Sequence, residues 1–151
     1  MTNLTITPLT PEQLAELKAL ALEAQALSYA PYSGYHVGAA VLTTGGLMYG
    51  GCGNVENSNY TLTKHGEETA VLEAIRVGSI SSEGVNFLRA VYLTQALLKG
   101  ELYECLPCGG CRQFTHQFAA EDAMWVIEQA DGVSVKYYSF QEFIPFPYTT
   151  P

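Results

Sequence analysis

Cys105-Leu106-Pro107-Cys108-Gly109-Gly110-Cys111 gathers three of the chain's four cysteines into seven residues. No other feature limits the fold as strongly. Two thiols three residues apart can grip a metal where they converge at the start of a helix, at the positive end of the backbone dipole, so a turn-to-helix junction is expected here. Disulfide staples are not needed to hold 151 residues of which 48% are hydrophobic and only 15% charged. A chain of that size buries a core of its own and is not disordered. Clustered cysteines in such a chain point to metal or redox chemistry.

The elements around that junction follow from periodicity. Thr10-Pro11-Glu12, then Leu14, Leu17, Leu20 and Ala24, predict a capped amphipathic helix over 11–27. A turn-rich segment, Tyr29-Ala30-Pro31-Tyr32-Ser33-Gly34, leads into a strand over 36–43, and Thr44-Gly45-Gly46 turns it into a second strand over 47–50. A second helix is expected over 65–77, ending at Gly78, followed by a strand over 87–94. Phe114 and Phe118, four apart, predict a third helix over 111–119 that continues to about 120. Strands follow over 124–127 and 133–138, joined by Ala130-Asp131-Gly132. Ser139 with Glu142 resembles a capping box for a short last helix. Helices interleaved with strands in this order give one α/β domain over 1–151.

Charge limits the partners. Seven basic residues against 15 acidic ones give a net charge of −8, and the basic residues are scattered singly. Polynucleotide binding rests on clustered Lys and Arg, so nucleic acid is not an expected ligand. Apolar runs are far shorter than the ~20 residues of a membrane span. The start, Met1-Thr2-Asn3-Leu4, has no basic or apolar signal segment, so a cytoplasmic location is expected. The ten tyrosines suit small-molecule pockets and subunit contacts.

Three readings of the cysteines remain open at this level. A redox reading offers two overlapping pairs, 105/108 and 108/111, with nothing to choose between them. A structural-zinc reading uses Cys108, Cys111 and His116, but Glu121 stands in the fourth place and the expected helix runs through the segment. In that helix His116 reads as a polar surface residue. A third reading brings His65, at the start of the second helix, to Cys108 and Cys111. Three protein ligands with one tetrahedral place open mark a catalytic zinc. Glu67, two residues beyond His65, would lie beside the metal without binding it and could carry protons. Glu68 and Glu73 fit ordinary solvated glutamates, and His36 a structural or substrate-facing role.

His65-Gly66-Glu67 and Pro107-Cys108-Gly109-Gly110-Cys111 match the His-x-Glu and Pro-Cys-x-x-Cys signature of zinc deaminases. Tyr32-Ser33-Gly34-Tyr35-His36-Val37-Gly38-Ala39-Ala40, Asn54-Val55-Glu56-Asn57, Cys108-Gly109-Gly110-Cys111-Arg112-Gln113 and Phe143-Ile144-Pro145-Phe146-Pro147-Tyr148 resemble, in order, the small cytidine deaminases. The resemblance covers about 29–148. It implies a three-layer α/β/α domain around a five-stranded mixed sheet, assembled as a homotetramer with one Zn²⁺ per subunit. It implies hydrolysis of cytidine and 2′-deoxycytidine to uridine and 2′-deoxyuridine in pyrimidine salvage. By position, His65, Cys108 and Cys111 would bind zinc, and Glu67 would move protons. Asn54 and Glu56 would hold ribose hydroxyls, Tyr35 would pack near the base, and Gly66 would present its backbone N–H. Tyr60 would match the aromatic after the Asn-Val-Glu-Asn stretch, and Tyr148 would stand for a Phe that reaches a neighbouring subunit's base.

The departures from that family are informative. Many members have Cys at the place of His65 and Arg at that of Glu68. Three thiolates around Zn²⁺ leave a net −1 that an Arg can offset, whereas His with two thiolates is neutral, so the two exchanges agree. Gly66 stands where Ala is usual, and Tyr35, Tyr148, Ser58 and Asn59 add polarity around the expected pocket. Cys52 and Cys105 are expected not to be ligands. Alternatives are a deaminase of modified cytosine nucleosides or of a cytosine-containing antibiotic such as blasticidin S, and a non-catalytic zinc-stabilised assembly module. A polynucleotide deaminase is disfavoured by the charge and by the tight Asp131-Gly132 turn.

Overall fold

A computed structural model describes residues 6–150. Helix α1 (Pro11–Leu27) opens on Thr10, whose hydroxyl accepts from the Gln13 N–H while the Gln13 side chain accepts from the Thr10 N–H. That reciprocal box satisfies two amides at a helix start, which have no acceptor within the helix. The predicted strand over 36–43 is two strands. Tyr35–His36 (β1) leaves the sheet that Ala39–Thr43 (β2) enters. The break falls at Val37-Gly38 because α1 crosses there: a Cβ on Gly38 would lie 1.9 Å from the Ala21 carbonyl oxygen. Met48–Gly50 (β3) completes the expected hairpin with β2.

After a short 3-10 turn at Tyr60–Leu62 come α2 (Gly66–Arg76) and α3 (Ser79–Glu83), then β4 (Leu88–Leu93). Ala96–Leu98 (β5) and Glu101–Tyr103 (β6) form a hairpin that the sequence did not announce. Its turn, Lys99-Gly100, has φ of 51° and 82°. Both central residues are left-handed, as in the turns that suit twisted hairpins, but Lys is a rare choice for the first. β1 pairs with β5, giving a small sheet in the order β1-β5-β6.

The third helix, α4, is Gly109–His116, and a strand, β7, starts at Ala119 and runs to Glu128. The expectation of helix through 119–120 and strand only from 124 is therefore corrected. Phe114 and Phe118 do touch, with centroids 5.6 Å apart, but Phe118 is past the helix and turns onto Phe87 at 5.7 Å. Contact with Phe87, not helical continuation, explains the apolar spacing. Leu88 pairs with Ala119 and Ala90 with Met124, so a register jump takes up the extra residues. Val135–Ser139 (β8) and Phe140–Phe143 (α5) close the chain, α5 carrying the expected Ser139/Glu142 box.

The main sheet has the order β3-β2-β4-β7-β8, antiparallel except for the parallel pair β4–β7. It is the five-stranded mixed sheet expected. Alternation divides its side chains between two layers. Val41, Val91, Trp125 and Ile127 pack with Ala70, Val71 and Ala74 of α2 and with Phe140. Ala40, Leu42, Tyr92, Met124 and Val126 pack with Leu17 and Ala21 of α1. Each large side chain removed from water here contributes about 1.5–3 kcal/mol. The β4–β7 crossover carries β5, β6, the cysteine loop and α4, so it brings the start of α4 to the start of α2. None of the described helices is long and apolar enough to cross a membrane.

Candidate active site

Helices α2 and α4 begin side by side, and their N-cap residues are His65 and Cys108. The imidazole Nδ1 of His65 lies 3.4 Å from Cys108 Sγ and 3.3 Å from Cys111 Sγ. The three donor atoms all lie within 4.8 Å of one another. Tetrahedral zinc with ordinary Zn–N and Zn–S bonds separates such N and S atoms by about 3.6 Å. The trio therefore needs only a slight expansion to take the ion. Among the described residues this is the one such group, and His116 is not in it. The expectation that His116 is a surface residue is corrected: it is partly buried, its ring 6.5 Å from that of Phe140, and its Nδ1 is buried with no hydrogen-bond partner among the described residues.

Charge argues for a cation as well. Glu67 is 4% exposed. No Lys or Arg among the described ion pairs reaches it. Burial raises its pKa above the usual carboxylate range, because low polarity penalises the charged form. Burial, with the Glu67 charge next, pushes the Cys111 thiol far up too. A divalent ion at the trio supplies the missing positive charge and deprotonates coordinating thiols. Glu68 proves to be a capping residue, accepting from the His65 N–H at 2.8 Å and paired with Lys64 at 3.6 Å. It holds the helix start that aims the imidazole.

A cavity of about 240 Å³ opens over Glu67. Tyr35, Asn54, Glu56, Tyr60, His65, Gly66, Glu67 and Cys108, all singled out in the sequence, line it together. The sequence did not reveal Ser33, Thr63 or Leu106 in the lining. Asn54 and Glu56 are buried and already hold backbone. Asn54 Oδ1 accepts from the Val37 N–H, and Nδ2 donates to the Tyr35 carbonyl, both at 2.8 Å. Its amide keeps one free N–H. Glu56 accepts from the Tyr32 and Ser33 N–H groups and from the Ser33 hydroxyl. The hydroxyl bond first, then the amides, hold its pKa below the usual value against burial. Gly66 fits because an added Cβ would lie 3.1 Å from the Val37 carbonyl oxygen. Its amide is in the first helical turn, where N–H groups have no intrahelical acceptor.

Tyr148 is absent from this cavity. Its N–H and C=O are clamped by the Gln113 amide at 2.8 and 2.9 Å, and its side chain projects outward in a residue 74% exposed. Cys52 is exposed, and Cys105 is buried against the cavity. A second cavity of about 270 Å³, at the start of β7, holds His116, Glu121 and Asp122 but no convergent ligand trio.

A mixed α/β layer fold, a His-Cys-Cys cation site and a buried carboxylate beside it define a metal-dependent hydrolase. The family model described as cytidine and deoxycytidylate deaminase zinc-binding region matches residues 11–127. A cytidine deaminase of Sporosarcina psychrophila is 37% identical over 103 residues, 68% of each chain. One from Halalkalibacterium halodurans is 30% identical over 129 residues, covering 85% of this chain and 89% of its own. The crystal structure of cytidine deaminase from Burkholderia pseudomallei superposes with a TM-score of 0.74 at 29% identity, over 93% of this chain and all of that one. That from Mycobacterium tuberculosis gives 0.70 at 27%, over 91% and 98%. The chain belongs to the cytidine and deoxycytidylate deaminase family. It is a hydrolytic deaminase with zinc as its metal, which sets aside the redox and purely structural readings of the cysteines.

Proposed function

We propose that the chain converts cytidine and 2′-deoxycytidine to uridine and 2′-deoxyuridine with release of ammonia, serving pyrimidine salvage in the cytoplasm. The observation that carries the reading is Glu67: a buried carboxylate at the floor of the cavity, beside His65, Cys108 and Cys111. These three residues would hold one Zn²⁺. Zinc in such a site would supply Lewis acidity, lowering the pKa of a water toward about 7. Glu67 takes a proton from the attacking water and delivers it to ring N3, which makes C4 electrophilic. The water oxygen bonds to C4, and the carbon becomes tetrahedral. Glu67 then passes the second water proton to the amine, the C4–N bond breaks, ammonia leaves and the C4 carbonyl forms. A carboxylate raised by burial suits both transfers.

The remaining wall positions the substrate. The Gly66 N–H is a donor for the base carbonyl. The free N–H of Asn54 and the unused acceptor capacity of Glu56 hold ribose hydroxyls. A free base would leave those buried groups unpaired, which favours the nucleoside. Tyr35 and Tyr60 face the substrate from the cavity wall. The outward side chain of Tyr148 supports a role in a neighbouring subunit's pocket, with a homotetramer as the assembly.

Zinc content and cytidine hydrolysis measured on one purified preparation test the reading. Glu67→Ala should keep its metal and lose about 10²–10⁴-fold in turnover. Unchanged turnover removes Glu67 from the mechanism, and inertness toward both nucleosides overturns the substrate.

A further inference from the structure

Two polar groups in the cavity have no part in the chemistry above. Cys105 is 7% exposed and lines the cavity. Its Sγ accepts from the Tyr35 hydroxyl at 3.7 Å. Among the described hydrogen bonds, the thiol hydrogen finds no acceptor and the phenol oxygen receives no donor. The ring is held in place from its backbone: the Tyr35 N–H donates to Ser33 Oγ at 3.0 Å, and the Tyr35 carbonyl accepts from Asn54. β1 pairing to β5 fixes it further. Burial keeps both groups protonated at neutral pH, with the Cys105 thiol pushed up to about 11 and the phenol raised above its ordinary value. Cys105 lines the cavity with Glu67 and Cys108 and stands three residues before Cys108 at the start of α4, so its contact with the Tyr35 hydroxyl lies toward the His-Cys-Cys end of the cavity.

The reacting carbon of a cytosine has two ring neighbours, N3 and C5. Glu67 serves N3 from the α2 side. Cys105 approaches from the loop between β6 and α4, three residues before Cys108. We propose that the Tyr35 hydroxyl and the Cys105 thiol form a polar wall facing C5 of the pyrimidine, and that this wall selects among cytosine nucleosides by what C5 carries. The inference rests on the nucleoside reading above and names its specificity. A hydroxyl-bearing substituent on C5 meets a free acceptor on Tyr35 and a free donor on Cys105. A methyl group of similar reach covers both and leaves them unpaired, which costs binding in the transition state.

The experiment compares kcat/KM for cytidine, 5-methylcytidine and 5-hydroxymethylcytidine in wild type, Tyr35→Phe, Cys105→Ala, Cys105→Ser and the Phe/Ala double variant, with zinc content and Tm recorded for each. The wild type should prefer hydroxymethyl over methyl. Tyr35→Phe and Cys105→Ala should each lower that ratio about tenfold, and the double variant little further, because the two groups act as one contact. Cys105→Ser, which keeps a donor, should retain the ratio. Tyr35→Phe removes one oxygen and keeps the ring, so it decides the matter even where Cys105→Ala folds poorly. A ratio unmoved in Tyr35→Phe while cytidine is still turned over overturns the wall alone. Wild-type inertness toward cytidine overturns the nucleoside reading, and the wall with it.

Discussion

Glu128, beneath α1, and Glu67, at the head of α2, are equally shut off from solvent, at 5% and 4% exposure. Glu128 accepts from Lys18 Nζ at 3.0 Å and from the Tyr92 hydroxyl at 3.2 Å, and the same ammonium ties down the β7–β8 turn through the Gly132 carbonyl. Glu67 has no cationic side chain within the described ion pairs. The helix starts differ in the same way. Thr10 and His65 share nearly the same backbone, φ −69°, ψ 158° and φ −87°, ψ 161°. Thr10 uses its side chain to cap α1, whereas His65 leaves that work to Glu68 and turns its imidazole to two sulfurs. One face of the sheet satisfies its buried charge with the chain's own groups. The other leaves a charge deficit that an ion fills, and that deficit is the site.

Making the second face resemble the first should have the largest effect. His65→Ser installs an ordinary hydroxyl cap in place of a ligand. Zinc stoichiometry should collapse and turnover fall at least about 10³-fold, with far-UV circular dichroism retained; full metal loading would show that His65 is not needed. Glu128→Ala breaks the pair on the α1 face and strands the Tyr92 hydroxyl. It should cost about 1–3 kcal/mol in urea unfolding while zinc content stays unchanged. Lys18 is 35% exposed, and solvent limits the loss.

A smaller effect follows from the raised pKa of Glu67 in metal-free protein. A carboxylate raised by folding keeps its proton in the folded state after the unfolded chain has lost it, so its stabilisation is full at low pH and falls as pH rises. Glu67→Gln has no such loss. The Tm of metal-free Glu67→Gln should therefore exceed that of metal-free wild type by an amount that widens from about pH 4 upward, at roughly 2–4 °C per kcal/mol. A gap that is flat or narrows with pH would mean that the carboxylate is not penalised by burial.

What the sequence disclosed was local. α1, the β2–β3 hairpin, α2 and the Ser139 capping box are encoded by neighbours three or four residues apart, or by two-residue turns. His65, Glu67, Cys108 and Cys111 were readable because ligand chemistry restricts residue types and spacings. Long-range packing hid the rest. The end of α4 at His116 depends on Phe118 meeting Phe87. The separation of β1 from β2 depends on α1 crossing at Gly38. The family resemblance pointed to Asn54 and Glu56 as ribose ligands but gave no sign that each clamps backbone 17 to 24 residues away. Nothing in a sequence pattern shows a side-chain bond to backbone that distant. The Tyr35–Cys105 contact joins residues 70 apart and was equally hidden.

Zinc K-edge X-ray absorption on the purified protein addresses the central claim most directly. The expected spectrum shows one zinc per chain with two sulfurs near 2.3 Å, one imidazole nitrogen near 2.0–2.1 Å and a fourth, light non-protein ligand. Four protein ligands, or a first shell without sulfur, would contradict a catalytic ion held by His65, Cys108 and Cys111.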